Sequence, residues 1–158
     1  MKIILGLNPG RDKVGWAFVG REGELLRSGI FLSRERTLFW RALRALDQDR
    51  DLLDTWTLER PFEKREVAVP DVFVVGKGTC GDALAADLRA QSFGGRVLCV
   101  DEKGTTLEAR SLYWRLHAPS WWQRFLPRAL WIPPRPLDDL AAWAIAVRGM
   151  GEALASMP

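Results

Sequence analysis

Apolar runs alternate with short polar turns over the first 32 residues, a pattern typical of β-strands. An apolar run over 2–7 ends at a turn that begins with Asn8, which predicts a buried strand followed by a turn. The strand pattern resumes over 14–19 and, after a glycine-bounded turn, again over 25–32. Three strands with short connections predict an antiparallel meander.

The apolar spacing then becomes helical and later alternates between strand and helix. Apolar positions from Leu38 to Leu46 predict the first helix, and 47–71 is a loop or an insertion with room for a strand near 56–58. Further elements are predicted as strands over 72–75 and 97–100 and helices over 82–91, 106–116 and 137–155.

The order of these elements predicts an α/β fold. Three antiparallel strands followed by helix-linked parallel strands (β-β-β-α-β-α-β-α) give a mixed five-stranded sheet with helices on both faces. This is the topology of the ribonuclease H-like fold. We expect one such domain over 1–158, with the possible insertion at 47–71 and a basic aromatic loop at about 113–135.

Composition restricts the chemistry. The chain has 158 residues, 47% apolar and 27% charged, with a net charge of +3, as expected of a folded domain. His117 is the single histidine, and Cys80 and Cys99 form no CxxC motif, which excludes a zinc site of the usual His and Cys ligands. A metal site would therefore use oxygen ligands, which suit Mg²⁺ or Mn²⁺.

No segment resembles a membrane span or a targeting signal. The longest apolar run, 140–147, is much shorter than the roughly 20 residues that a spanning helix needs. We therefore expect a cytoplasmic protein with no membrane partner.

Polar residues follow three of the predicted element boundaries, at 8–13, 101–106 and 138–139. Ligands bind beyond the carboxyl ends of parallel strands, and converging carboxylates suit two-metal phosphodiester chemistry. Each segment also has a simpler explanation. Asn8 suits a turn, 101–102 a solvated loop, and 138–139 the first turn of a helix, where acids are favoured.

Four segments resemble the YqgF-like and RuvC-type Holliday-junction resolvase families, especially YqgF-like proteins of the cyanobacterial and deinococcal type. They are ILGLNPGRDKVGWAFV, VFVVGKGT, VDEKGTTLEAR, and the stretch from LEARSLYWRLHAP to PPRPLDDLAAWAIAV. The resemblance covers nearly the whole chain and is poorest over 47–71. It implies a ribonuclease H-like fold and a Mg²⁺- or Mn²⁺-dependent nuclease acting on RNA, as in ribosomal RNA maturation, or on branched DNA.

The resemblance also implies a catalytic site. Asn8 takes the place of the family's first Asp, Glu102 with Asp101 the second acid, and Asp138 or Asp139 the third. The metal ligands would be Glu102, Asp138 and Asp139, with Asn8 as a weak ligand.

Asn8 departs from the family pattern. An amide oxygen can bind Mg²⁺, but it brings no charge and cannot bridge two cations; Asp12 lies in the same loop. Three functions stay open: a nuclease, an inactive nucleic-acid-binding module that lost its first acid, and a resolvase working as a homodimer. Glu59 is a second candidate acid, with a salt-bridged surface position as the simpler explanation.

Basic and aromatic residues are the candidate nucleic-acid contacts. No acid occurs between Arg110 and Leu137, and aromatic residues alternate there with arginines, as in proteins that hold unpaired bases. The alternative is that these rings belong to the core or to a subunit interface, and that His117 is a polar surface residue. The candidate contacts are Arg11, Lys13, Lys77, Thr105, Thr106, Arg110, Trp114, Arg124, Arg128 and Arg135.

Overall fold

The fold is a six-stranded mixed sheet with helices on both faces. The computed structural model describes residues 3–62, 64–78 and 80–155. Lys2, at the start of the first predicted strand, and Thr79, at the end of VFVVGKGT, lie outside the described residues. The strands are β1 Ile4–Asn8, β2 Lys13–Val19, β3 Leu25–Leu32, β4 Thr57–Glu59, β5 Val72–Gly76 and β6 Arg96–Val100. The helices are α1 Arg36–Arg44, α2 Gly81–Ala90, α3 Thr105–Leu116 and α4 Asp138–Ala155.

The strands lie in the order β4-β3-β2-β1-β5-β6. Along β1 to β4, each strand pairs antiparallel with the next strand in the sequence. β5 pairs parallel with both β1 and β6. The α/β class, the antiparallel meander and the helices on both faces are confirmed. The expectation of five strands was wrong because β4 adds a sixth.

Part of the segment 47–71 is regular structure that joins the sheet. It forms a 3-10 helix over Arg50–Trp56, followed directly by β4, which pairs with β3 at one edge of the sheet. Arg27 of β3, 2% exposed, donates to Thr57 Oγ1 at 2.7 Å and pairs with the Asp54 carboxylate. A buried arginine on a neighbouring strand thus anchors the segment, which local sequence patterns cannot reveal.

The two sheet faces have different cores. One face packs bulky aromatic side chains from β2, β3 and α1, such as Trp16 and Trp40, against α2. The other face packs against the alanine-rich side of α4, with α3 alongside. No helix in the described ranges is long and apolar enough to cross a membrane.

Two glycines allow α4 to approach the sheet closely. A Cβ at Gly6 would overlap the backbone of Ala142, and one at Gly15 would overlap the backbone of Asp138. Gly15 pairs with Asn8 across β1 and β2, so this contact brings the start of α4 beside the end of β1.

Candidate active site

Three strand ends meet at one edge of the sheet. Leu7 pairs with Val75, and Gly76 with Val100, so β1, β5 and β6 end level with one another. This is the edge beyond which parallel strands bind ligands. The structure therefore brings the end of β1 and the loop after β6 to neighbouring positions.

Asn8 and Asp138 form one part of this edge. The Asn8 Nδ2 donates to the backbone oxygen of Asp138 at 3.3 Å. The Asp138 carboxylate, 31% exposed, pairs with Lys13 Nζ at 3.2 Å. The two predicted catalytic residues do lie together, but Lys13, a predicted phosphate contact, already neutralises the carboxylate.

Glu102 lies against the end of the neighbouring strand β5. Its carboxylate fills the space above Gly76 and Gly78, where a Cβ on either glycine would overlap it. Its Oε2 is buried and has no hydrogen-bond partner among the described residues. Burial, with a smaller contribution from the negative charge of Asp101, raises the pKa of Glu102.

Thr105 fixes the backbone of Glu102. Both the backbone N–H and the hydroxyl of Thr105 donate to the Glu102 carbonyl oxygen, at 3.1 and 2.7 Å. Thr105 is 4% exposed, so it is placed to position Glu102 and not to contact nucleic acid, in contrast to our expectation. Asp101 is exposed and accepts from the Lys103 N–H, within the same loop.

A cleft of about 240 Å³ opens beside Asn8 and Asp138. Thr106 and Arg110, on the exposed side of α3, line the same cleft, as does Arg135. Candidate catalytic and candidate nucleic-acid-binding residues are thus brought to one groove.

Asp139 lies in a different environment from Asp138. It is fully buried, accepts from Ser28 Oγ at 2.7 Å, and pairs with Arg135 at 2.8 Å. The two adjacent aspartates have the same local sequence pattern, but they differ in burial and in their ion-pair partners. Asp138 faces the cleft, whereas Asp139 is committed to a buried ion pair.

The ion pair extends into a polar network beneath the aromatic loop. Arg135 also donates to Glu59 Oε1 at 2.7 Å, and His117 Nε2 lies 2.6 Å from the same oxygen. Burial alone would lower the pKa of Arg135, but its hydrogen bonds and charge interactions with Asp139 and Glu59 outweigh burial and raise it. Glu59 is ion-paired as expected, but it is 9% exposed and lies on β4, not at the surface.

The predicted metal ligands do not form a carboxylate cluster. Among residues 3–62, 64–78 and 80–155, no three His, Cys, Asp or Glu side chains are placed to hold a metal ion. Asp139 is occupied by Arg135 and Ser28. The unpartnered Glu102 oxygen lies at the end of β5, and Asn8 and Asp138 line the cleft beside the end of β1, so the candidate oxygen ligands lie at the same edge of the sheet.

Apart from Lys13 and Thr105, described above, the predicted nucleic-acid contacts fall into two groups. Arg110 donates to the Trp131 carbonyl, Trp114 contacts Trp131, and Arg135 lies in the network, so these three have internal partners. The other group is exposed and consists of Arg11, Lys77, Arg124 and Arg128, together with Thr106.

Some residues that shape the site were missed from sequence. Gly76 and Gly78 leave the space that Glu102 fills, and Ser28 holds Asp139 from 111 positions away. A glycine at the end of a buried strand is a signal for close approach. Ser28, within a strand pattern, gives no signal.

Comparison with known proteins identifies the fold. No family model and no curated protein matches the sequence. The chain is similar to Thermus thermophilus RuvC in complex with a Holliday junction substrate, with 19% identity, 99% of this chain and 97% of that chain covered, and a TM-score of 0.56. A second Thermus thermophilus RuvC structure gives 19% identity, 98% and 97% coverage, and 0.51. The Fowlpox virus resolvase in complex with Holliday junction DNA gives 12% identity, 96% and 99% coverage, and 0.50.

These similarities confirm the ribonuclease H-like architecture over nearly the full chain. Solved structures that share it include two of Thermus thermophilus RuvC and one of the Fowlpox virus resolvase. The narrower resemblance to YqgF-like proteins stays a prediction.

Proposed function

We propose that this protein is a nuclease acting on branched DNA, with its active site at the shared ends of β1, β5 and β6. The observation that supports this most directly is the buried Glu102 oxygen without a partner, directly beside the end of β5. Burying a carboxylate oxygen without a hydrogen bond lowers stability, so such a group is typical of sites that bind a cation or a proton.

Glu102, Asp138 and the Asn8 amide oxygen would hold one divalent cation, Mg²⁺ or Mn²⁺. Such a cation, when bound, polarises the scissile phosphate and lowers the pKa of a water nucleophile. Arg110 lines the cleft beside Asp138, and the N–H groups that it does not donate to the Trp131 carbonyl would bind the phosphate next to the broken bond. Lys13, 3.2 Å from the Asp138 carboxylate, orients that carboxylate and supplies the positive charge that a second cation would give.

The direct test is cleavage of an end-labelled four-way DNA junction with Mg²⁺ or Mn²⁺. The wild type should cleave, and the double variant Glu102→Gln, Asp138→Asn should not. Asp47→Asn serves as a control, since Asp47 is an exposed acid after α1, outside the site. Cleavage that survives in the double variant would overturn the assignment.

A second function is favoured by the neutral Asn8, the Lys13–Asp138 pair and the buried position of Asp139. Together these leave few carboxylates available to bind a metal ion, as in a nucleic-acid-binding module that has lost its catalytic activity. Junction binding without cleavage, unchanged by a chelator, would select this function.

The preferred nucleic acid and the oligomeric state need their own measurements. A labelled structured RNA, such as a precursor of ribosomal RNA, should be offered beside the junction, and preferential cleavage of RNA would favour the YqgF-like role. Light scattering tests the homodimer that a resolvase needs to cut both strands. A monomer bound to the junction would exclude paired cleavage.

A further inference from the structure

The loop between α3 and α4 displays large aromatic side chains to solvent. Trp121 is 76% exposed, Trp122 is 53% exposed and Phe125 is 82% exposed. Aromatic side chains of this size are normally buried, because each removes a large apolar area from water. Their exposure on one short segment marks a contact surface.

Internal contacts hold the base of this loop. Trp131 Nε1 donates to the carbonyl oxygens of Gln123 and Leu126, at 2.6 and 3.2 Å. The Trp131 ring meets Trp114 of α3 edge-on at 5.6 Å, and Arg110 donates to the Trp131 carbonyl at 3.1 Å. Trp131 and Trp114 therefore support the loop, while Trp121, Trp122 and Phe125 face outward.

The charge around the exposed rings indicates which class of molecule binds them. No acidic residue occurs from 111 to 137, and Arg124 and Arg128 are exposed beside the rings with no ion pair among the described residues. The same loop leads through Pro133 and Arg135 into the wall of the active-site cleft. A hydrophobic protein or lipid partner would not require this absence of acids, whereas a phosphate backbone does.

We propose that Trp121, Trp122 and Phe125 form a stacking surface for unpaired bases of the substrate, with Arg124 and Arg128 binding the adjoining phosphates. The inference rests on the proposed function and narrows it to nucleic acid with unpaired or splayed bases near the cut. Stacking on aromatic rings contributes about 1–3 kcal/mol per base and does not depend strongly on sequence. Arginine beside the rings adds salt-dependent binding to phosphate.

The test compares two labelled oligonucleotides of equal length and charge, oligothymidine and the same strand made of abasic sites. Binding is followed by fluorescence anisotropy with the full-length chain and a chelator present, so cleavage plays no part. We expect the wild type to bind oligothymidine at least about tenfold more tightly than the abasic strand. The variant Trp121→Ala, Trp122→Ala, Phe125→Ala, which removes all three exposed rings, should bind both strands as the wild type binds the abasic one.

The matched control is Leu107→Ala, Val147→Ala, which removes exposed apolar side chains from α3 and α4 outside the loop. This control should keep the tenfold preference, and all variants should melt like the wild type because the mutated side chains are exposed. Equal wild-type affinity for both strands, no binding of either, or an unchanged preference in the loop variant would each overturn the inference. So would a wild-type dimer that becomes monomeric in the loop variant, because the rings would then form a subunit contact.

The two proposals fail separately. A tenfold preference without junction cleavage would retain the stacking surface and reject the nuclease. Junction cleavage without that preference would retain the nuclease and reject the stacking surface.

Discussion

At the scale of single residues, the unpartnered Glu102 carboxylate links stability to pH. Burial and Asp101 raise its pKa above the ordinary glutamate value of 4.5. Below that value the group is protonated in both the folded and the unfolded chain. As the pH rises through the raised folded pKa, the unfolded chain releases its proton more readily, so the folded state loses stability.

We therefore predict that Glu102→Gln stabilises the protein near neutral pH when no divalent cation is present. Its free energy of unfolding should match that of the wild type at acidic pH and exceed it increasingly towards neutrality. Urea unfolding at a series of pH values with a chelator measures the difference. A constant difference across the series would contradict the burial of this charge.

Asn8→Asp gives a second prediction, which separates metal binding from folding. The Asn8 amide donates to the Asp138 carbonyl, and a carboxylate there would lose this hydrogen bond and face the carbonyl oxygen. We expect a loss of about 1 kcal/mol, or roughly 2–4 °C in melting temperature, with a chelator present.

Mg²⁺ should reverse this loss in Asn8→Asp, because the ion binds the folded state alone. Junction cleavage should also increase. Calorimetric titration with Mg²⁺ compares both chains. Equal affinity in the wild type and the variant would show that Asn8 never limits metal binding.

The adjacent aspartates give the third prediction. Asp139→Asn removes the fully buried one of the two carboxylate partners of Arg135 and leaves Glu59 as the other, which should cost about 3 kcal/mol of stability. Asp138→Asn removes only a half-exposed pair with Lys13 and should cost less than about 1 kcal/mol while abolishing cleavage. Denaturant unfolding and junction cleavage on both variants check this, and a stable Asp139→Asn protein would contradict it.

At the scale of elements, α4 places the active site through its contact with β2. A methyl group at Gly15 would overlap the Asp138 backbone, so Gly15→Ala must move the start of the helix away from Asn8. We predict a cost of about 2 kcal/mol or more and loss of cleavage. Gly151→Ala is the control, since a Cβ there meets nothing within 4 Å, and it should keep cleavage. Thermal unfolding and junction cleavage measure both effects.

Most elements could be predicted because their signals are local. The apolar run ending at Asn8 and the helical spacing from Leu38 gave the right element types, with boundaries shifted by one or two residues. β4 was only partly anticipated because three residues carry no periodicity, and a buried arginine on β3 holds its first residue.

The site was less predictable, because side-chain environments come from distant residues. Asp138 and Asp139 have the same local pattern, and only Ser28 and Arg135 separate them in the structure. Thr105 and Glu108 have the spacing of a capping box, yet Gly104 precedes α3 with φ of +82° and Thr105 donates to Glu102 instead. Candidate residue types were thus visible in the sequence, and their partners were not.

At the scale of the whole molecule, one long stretch of the chain, 111–137, carries basic residues and no acidic ones. The net charge of +3 hides this acid-free stretch, in which Arg124 and Arg128 are exposed and make no ion pair among the described residues. We predict that Arg124→Ala, Arg128→Ala reduces the slope of log affinity against log salt for a four-way junction by about 2.

Arg34→Ala, Arg41→Ala removes the same charge from exposed positions near or on α1, on the opposite face of the sheet, and should leave that slope nearly unchanged. Binding titrations at several salt concentrations measure both variants. Equal slopes in the two variants would contradict a localised phosphate-binding surface.

The buried network around Arg135 has a consequence for synthesis on the ribosome. Ser28 and Glu59 emerge early, but their partners Asp139 and Arg135 lie 111 and 76 positions later. α4, which covers β1 and β2, is also the last element to be made. Until it emerges, the nascent chain has an uncovered apolar sheet face and unpaired polar groups. The native domain can therefore close only after α4 has left the ribosome, and earlier stages of synthesis are where we expect a chaperone to bind.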